Sequence, residues 1–212
     1  SNLDGFRDLY IARNMLGGKV TIGHFKPYRS MEELTSSNEI LLMERPSTSA
    51  TGIYSGRQFQ QGVGYLRAGA TGNYTFGVSA FNMRSAPTAR NEGVGFAGRA
   101  TWAPIYDRTP DGITVLHVGL NARVRDNGGG PDASGARGPG FRYRARPQTG
   151  YGDRFVDTGS LAFAQDTFYG VELAGQMNEF GFSAEYGQLQ AKPQSGTALG
   201  AYALWVLLHN EG

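Results

Sequence analysis

Apolar and polar residues alternate strictly along Leu116–Asp126, and this pattern constrains the fold more than any other feature of the sequence. The apolar positions are Leu116, Val118, Leu120, Ala122 and Val124. The intervening positions are His117, Gly119, Asn121, Arg123 and Arg125. Successive side chains of a β-strand point to opposite faces, so a period of two predicts a strand with one apolar and one polar face.

Similar segments recur along the chain. Regular alternation is found in residues 19–23, 94–102, 169–177 and 180–186. Less regular strand candidates are residues 8–13, 58–68, 74–83 and 198–208. Turn signals between them are Gly17-Gly18, Gly72-Asn73, Pro110-Asp111-Gly112 and the loop 127–140. The sequence therefore predicts an all-β chain of roughly nine or ten strands, each near the length of about 9–11 residues that a tilted membrane strand requires.

Composition leaves two β architectures open, a soluble sandwich and a membrane barrel. No segment approaches the roughly 18 apolar residues of a membrane helix. The negative mean hydropathy is compatible with a barrel, because alternating strands dilute the average. The polar faces carry Gly, Thr, Asn, Gln, Glu and Arg, and the aromatics at strand ends are Phe25, Tyr65, Trp102 and Tyr186. This distribution favours a barrel with a wet lumen and aromatic girdles.

One segment departs from the β pattern. Ser30 begins a capping box that Glu33 completes three residues later, and helix-forming residues continue to Arg45 before Pro46. We expect helical turns within Ser30–Glu44, outside the regular sheet. A structured excursion of this kind inside an all-β chain is typical of a long functional loop.

Several segments resemble the phosphate-selective porin O/P family. They are Ile22–Pro27, Ser30–Ser37, Met43–Arg45, Gly98–Pro104, Phe141–Pro147, Phe155–Gly159, Gly170–Gly175, Ser183–Tyr186 and Leu207–Gly212. The resemblance implies a trimeric, sixteen-stranded antiparallel transmembrane β-barrel in a Gram-negative outer membrane, with a loop folded into the pore. Residues 1–212 would then be a central portion of such a barrel, with the pore loop near residues 27–57 and strands missing from both ends.

Arginines spaced by two are the first candidate for anion binding. On a strand, Arg142, Arg144 and Arg146 share one face, while Phe141, Tyr143 and Ala145 take the other. Each arginine would cost roughly 2–4 kcal/mol at mid-depth in lipid, so this face is expected in the lumen. Arg123 and Arg125 repeat the spacing, and Arg99 is a further candidate. The resemblance implies that such arginines draw anions along the pore wall. Alternatively, they pair with lumen acids such as Glu172 and Glu185 and fix the shape of the barrel.

Basic residues around the helical segment are the second candidate. Lys26, Arg29, Arg45 and Arg57 flank or follow it. If the loop folds inward, these cations line a constriction, and a ring of Lys and Arg selects anions. The alternative is that Lys26 and Arg29 are exposed and pair with Glu32 or Glu33. Phosphate-specific members of the family carry many lysines near the pore, whereas the lysines here are Lys19, Lys26 and Lys192. The permeant anion therefore stays open.

Other classes of function are disfavoured. The chain has no cysteine, and its three histidines lie far apart, so neither a metal site nor a cofactor is expected. A net charge of +2 argues against a nucleic-acid protein. No Gly-x-Ser-x-Gly motif marks a hydrolase, and we expect no enzyme. The N-terminus shows no signal peptide and does not indicate the cellular location of the protein.

The resemblance implies a homotrimeric outer-membrane porin, and the arginine spacing predicts that inorganic or organic anions, phosphate or polyphosphate among them, diffuse through it passively. Its partners would be these anions and outer-membrane lipid. The alternative is a non-conducting β-domain that binds a polyanionic ligand or has a structural role in the outer membrane.

Overall fold

A computed structural model of the protein describes residues 8–40, 45, 58–82, 93–110, 112–126, 143–145, 153, 156–158, 163–193 and 199–210. Its strands are β1 (Leu9–Met15), β2 (Gly18–Phe25), β3 (Gln60–Ala68), β4 (Tyr74–Asn82), β5 (Val94–Thr109), β6 (Gly112–Asp126), β7 (Arg144–Ala145), β8 (Val156–Asp157), β9 (Phe163–Met177), β10 (Phe180–Pro193) and β11 (Leu199–Asn210). One short helix, α1 (Met31–Leu34), follows β2.

Nine of these strands form one antiparallel sheet in the order β1-β2-β3-β4-β5-β6-β9-β10-β11. Each strand pairs with its neighbour along the chain, except that β7 and β8 form a separate two-stranded sheet between β6 and β9. The predicted all-β class is confirmed. Within the described residues the sheet is open, so the sixteen-stranded closed barrel that the resemblance implies is not seen here.

The two faces of the sheet have opposite character. On β6, Leu120 is 63% exposed, whereas the neighbouring Asn121 and Arg123 are 5% and 1% exposed. Phe96 and Trp102 on β5 are likewise exposed, at 58% and 55%. The large apolar side chains thus lie on the open face and the polar ones on the covered face. The alternation in the sequence predicted both faces of β6.

The connections differ at the two ends of the sheet. Tight turns join β1 to β2, β3 to β4, β5 to β6 and β9 to β10. Long connections, residues 26–59, 83–93 and 127–162, join β2 to β3, β4 to β5 and β6 to β9, and at the same end the short connection 194–198 joins β10 to β11. In outer-membrane barrels short turns lie on the periplasmic side and long loops outside the cell. The same asymmetry is therefore present in this sheet.

The first turn is displaced by one residue from its sequence signal. Gly17-Gly18 predicted the turn, but Met15 pairs with Gly18 and the turn residues are Leu16 and Gly17. Both have positive φ, 57° and 72°. Two-residue hairpins favour positive φ because this conformation matches the twist of the strands.

The segment after β2 shows that the sheet is curved. Ser30 contacts Glu185 on β10, six strand positions away from β2. Residues 26–30 span at most about 18 Å of extended chain. Six interstrand spacings of about 4.8 Å cover about 29 Å, so a flat sheet leaves the two residues too far apart. The sheet therefore curves toward this segment, and the polar face is concave.

Helix α1 confirms the predicted helical excursion in shortened form. Glu33 N donates to Ser30 Oγ across 3.1 Å, which is half of the predicted capping box. The Glu33 carboxylate pairs with Arg29 and supplies an i,i+4 contact. The helix ends at Leu34, and residues 41–44 of the predicted range lie outside the described residues. Among the helices of the described residues, none is long and apolar enough to cross a membrane.

The aromatic residues expected in a girdle differ in the face of the sheet that they occupy. Trp102 and Tyr186 are exposed on the apolar face, at 55% and 41%. Phe25 is 4% exposed, and its ring centroid lies 5.9 Å from that of Tyr28. The expectation for Phe25 was wrong, because its side chain faces the concave side and packs under the segment that follows β2.

Candidate functional site

Residues 27–40, called here the inserted segment, begin on a seat made by glycines of the concave face. A Cβ atom added to Gly64 or to Gly77 would lie 2.8 or 2.9 Å from the Tyr28 side chain. The missing side chains therefore leave the space that the Tyr28 ring occupies. Tyr28 N also donates to Ser79 Oγ across 3.1 Å, which ties the start of the segment to β4.

Arg29 belongs to the inserted segment, and its side chain lies between this segment and β4. Its side chain is fully buried, and one nitrogen lies 3.4 Å from Glu33 Oε1. The guanidinium carbon lies 6.0 Å from the centroid of the Phe81 ring, within range of a cation–π contact. Arg29 therefore pairs with Glu33 as the alternative expected, but the expectation that Arg29 is exposed was wrong, because its side chain is buried beside Phe81.

The residues of the inserted segment at the beginning of α1 are bound to β10. Glu185 is 1% exposed and accepts hydrogen bonds from Ser30 Oγ at 3.0 and 3.1 Å. Met31 N and Glu32 N donate to the same carboxylate at 2.7 and 3.3 Å. The first N–H groups of a helix have no partner within it. Glu185 satisfies two of them from the opposite side of the concave face.

Two cations meet at the other end of α1. Lys26 Nζ and Arg45 Nη2 donate to Thr35 O at 3.2 and 2.7 Å. Arg45 also donates to Glu32 O. Positive charge is favourable at the C-terminal end of a helix, where carbonyl groups have no partner within the helix. Burial raises the pKa of the Glu32 carboxyl, an effect that the charge of Arg45 opposes.

A second cluster lies around Glu172 on β9. Arg99 Nη2 lies 2.7 Å from Glu172 Oε2, and Asn121 Nδ2 donates to Glu172 Oε1 across 2.8 Å. His117 Nε2 lies 3.5 Å from Glu172 Oε2. Glu172 is fully buried, so its charge is balanced within the protein by the side chains of β5 and β6.

A third cluster surrounds Asp166, also on β9. Arg125 Nε donates to Asp166 Oδ1 across 2.8 Å, and Arg123 Nη2 lies 3.3 Å from Asp166 Oδ2. Tyr143 OH donates to Asp166 Oδ2 across 2.7 Å. Burial and the charge of Asp166 raise the pKa of Tyr143, so its hydroxyl keeps the proton for this bond. Through Tyr143, the β7–β8 hairpin is attached to the concave face.

The predicted cationic residues whose side chains the structure describes lie in two environments. Arg99, Arg123 and Arg125 lie on the concave face beside acids. Lys26, Arg29 and Arg45 hold the inserted segment together. Arg57, Arg142 and Arg146 lie outside the described residues, and Arg144 is described by its backbone in β7. The arrangement on the sheet thus combines cations with acids.

The expected wall strand around Arg144 needs a correction. In the described residues, Arg144 pairs with Asp157 of β8 and not with a strand of the nine-stranded sheet. Tyr143 was expected on the face opposite the lumen, but it is 5% exposed and buried against Asp166. The sequence shows a local period of two and cannot show which strand is the partner.

Three important residues were missed or given another role by sequence reasoning. Asp166 is an even number of residues from Gly170 and Glu172, which lie on the polar face of β9. The alternation could therefore have predicted that Asp166 shares this face. Ser30 was expected to cap α1 and also binds Glu185. Nothing in the local sequence of Tyr143 indicates its contact with Asp166, because this contact depends on how the connection folds back.

Comparison with known proteins agrees with this geometry. A family model described as "Phosphate-selective porin O and P" matches residues 1–209, nearly the whole chain. An uncharacterized protein of Caulobacter vibrioides is 29% identical over 195 residues, which cover 87% of this chain and 37% of that relative. The chain thus spans well under half of the length of this relative. The matched family comprises channel proteins of the Gram-negative outer membrane. This chain belongs to the phosphate-selective porin O and P family.

Proposed function

We propose that this chain forms part of the wall and of the constriction in an outer-membrane porin that passes anions by passive diffusion. The observation that carries the proposal is a curved sheet with an exposed apolar face and a charged concave face crossed by the inserted segment. An apolar outer face fits lipid, and a polar inner face fits a water-filled lumen. A segment folded into the lumen narrows it, which gives the charges near it control over passing ions.

The basic residues in the connections between strands are proposed to give the pore its preference for anions, more than the arginines of the sheet. Asp166 accompanies both Arg123 and Arg125, and Glu172 accompanies Arg99, so the wall charges are largely balanced. Lys26 and Arg45 lie at the C-terminal end of α1, where both side chains donate to Thr35 O. Arg142, Arg144 and Arg146, called here the arginine ladder, lie next to or near Tyr143 in the sequence, and the side chain of Tyr143 contacts Asp166 of the wall.

We propose that the arginine ladder faces the lumen, because a period of two places its members on one face of a strand. The arginines of the ladder would then act in a narrow and partly dehydrated space, where charges are poorly screened. The description of the family makes inorganic phosphate the first permeant anion to test, with polyphosphate and organic acids next. We further propose a homotrimer in contact with outer-membrane lipid, as the resemblance implies.

A planar-bilayer recording of the intact protein tests this function. Replacing Arg142, Arg144 and Arg146 together by Glu reverses charge along about 13–14 Å of strand, at about 3.4 Å per residue. We expect the zero-current potential across a salt gradient to lose its anion preference. Conductance at high salt should fall less, because mobile ions screen the fixed charges.

The matched control replaces the same three residues by Lys, which keeps the charge and removes the planar donor fork. This variant should stay anion-preferring. An unchanged potential in the correctly inserted Glu variant would show that these arginines are structural. If the intact wild-type protein forms no channel at all, the non-conducting, polyanion-binding alternative gains support.

A further inference from the structure

We propose that Glu185 is a positioning residue that latches the inserted segment across the lumen and thereby sets the width of the pore. This inference rests on the proposed function for the role in conduction. The hydrogen bonds between Glu185 and the inserted segment are tested separately, by a measurement that does not depend on conduction.

The contacts of Glu185 with the inserted segment are dense. Both carboxylate oxygens accept from Ser30 Oγ, and one of them also accepts from Met31 N and Glu32 N. Hydrogen bonds to an ionised acceptor are stronger than those between neutral groups. One side chain of β10 therefore holds the beginning of α1 through three donors.

The charge of Glu185 depends on the inserted segment. Among the described residues, no ion pair includes Glu185, and its described hydrogen-bond donors all belong to residues 30–32. Its cross-strand neighbour on β9 is Glu172, a second carboxylate. Like charges directly opposite on a sheet repel, and a buried charge without partners is costly. Seating the segment thus stabilises Glu185, and Glu185 in turn holds the segment.

Glu172 is prevented from competing for the same donors. Arg99 and Asn121 occupy both of its oxygens at 2.7 to 3.0 Å. The cluster around Glu172 therefore leaves Glu185 as the carboxylate that faces α1. Arg99, predicted as an anion-binding residue, contributes here by balancing the charge beside the latch.

The backbone of Ser30 shows that the contact is specific. Its φ is 48°, a region that non-glycine residues adopt infrequently because the backbone is strained there. Such a conformation persists where surrounding contacts determine it. The bonds from Ser30 to Glu185 and from Glu33 N to Ser30 are those contacts.

The inserted segment is also fixed two residues before Ser30, where it begins. Tyr28 N is bound to Ser79 on β4, and the Tyr28 ring sits on Gly64 and Gly77. The segment is therefore a strut between β4 and β10. Without Glu185 the β4 end stays attached, and the end at α1 is released toward the wall or the solvent.

Hydrogen exchange of the intact protein in detergent tests the latch directly. In Glu185→Ala, we expect the amides of Met31 and Glu32 to exchange roughly tenfold faster or more, the change expected when a hydrogen bond of ordinary strength is lost. The matched control is Glu179→Ala, which removes an exposed glutamate from the turn between β9 and β10. This control should leave both amides unchanged. Unchanged exchange in Glu185→Ala would overturn the latch.

Single-channel recording tests the effect on the pore. We expect the conductance of Glu185→Ala to rise by up to about twofold, because the segment that narrows the lumen is released. Glu179→Ala should conduct like the wild type. Faster exchange with unchanged conductance would overturn the role in setting pore width. Faster exchange in a protein whose wild type forms no channel would keep the latch and reject the proposed function.

Ser30→Ala keeps the experiment decisive if Glu185→Ala does not fold. This variant retains the carboxylate and both backbone donors but removes the hydroxyl that contacts both oxygens of Glu185. Circular dichroism verifies the sheet in each variant. Ser30→Ala should show the same two changes to a smaller extent, and a folded Ser30→Ala with wild-type exchange and conductance would count against the latch.

Discussion

The arginines of the concave face show how a residue's neighbours decide its role. Arg123 and Arg125 are 1% and 2% exposed and share the carboxylate of Asp166. Buried charges are tolerated where partners compensate the lost hydration. Their pairing stabilises the contact between β6 and β9 and attaches Tyr143. The alternative in which arginines pair with acids of the lumen describes these two residues, although with Asp166 in place of Glu172 or Glu185.

Removing Asp166 is therefore expected to destabilise the fold. Asp166→Asn leaves two buried guanidinium groups without the carboxylate that they share, and breaking a buried pair in this way costs about 3–5 kcal/mol. Urea unfolding of the intact protein, followed by tryptophan fluorescence, measures the change. The control Asp107→Asn alters an exposed residue of β5 and should stay within about 0.5 kcal/mol of wild type. Equal stability of the two variants would contradict the structural role of Asp166.

Strand β6 shows how one element is specified by its pattern. Its register with β9 is continuous from Thr114 to Asp126 and its register with β5 from Val118 to Arg125, so the period of two is kept along most of the segment that predicted it. On β5 the register shifts between Trp102 and Ile105, near Pro104. Proline cannot donate to the ladder, and such residues are found at bulges. Regular alternation is therefore a better guide for β6 than for β5.

A charge on the outward face of β6 tests the membrane setting of this strand. Leu120→Lys places an ammonium near the middle of the exposed apolar face, where the cost is about 2–4 kcal/mol in lipid. Thr114→Lys lies on the same face near the turn, where the cost falls to about 0–1 kcal/mol. Folding equilibria in liposomes should separate the two variants. Equal costs would indicate that this face does not contact lipid.

The whole sheet resembles a water-soluble sheet turned inside out, with apolar residues exposed and charges covered. Apolar residues such as Ile11 and Leu120 are 81% and 63% exposed, whereas Asp166 and Glu185 are buried. The long connections lie at one end and the tight turns at the other. Together, the two asymmetries predict an orientation in the membrane as well as a lumen.

Cysteine labelling on intact cells tests this orientation. The chain has no cysteine, so single introduced thiols report one position each. Thr88→Cys, in the long connection between β4 and β5, should react with a membrane-impermeant maleimide. Glu179→Cys, in the turn between β9 and β10, should react after the outer membrane is permeabilised. The reverse result would mean that the tight turns face outward.

Local periodicity in the sequence determined the strands, their two faces and the helical excursion. A period of two and a capping box are properties of neighbouring residues, which is why β6, the other wall strands and Ser30 were predictable. The partners of the charged residues were decided by tertiary structure. Glu185 meets Ser30 because a curved sheet brings β10 to the segment after β2. Tyr143 meets Asp166 because a long connection folds back, and no spacing along the chain encodes that distance.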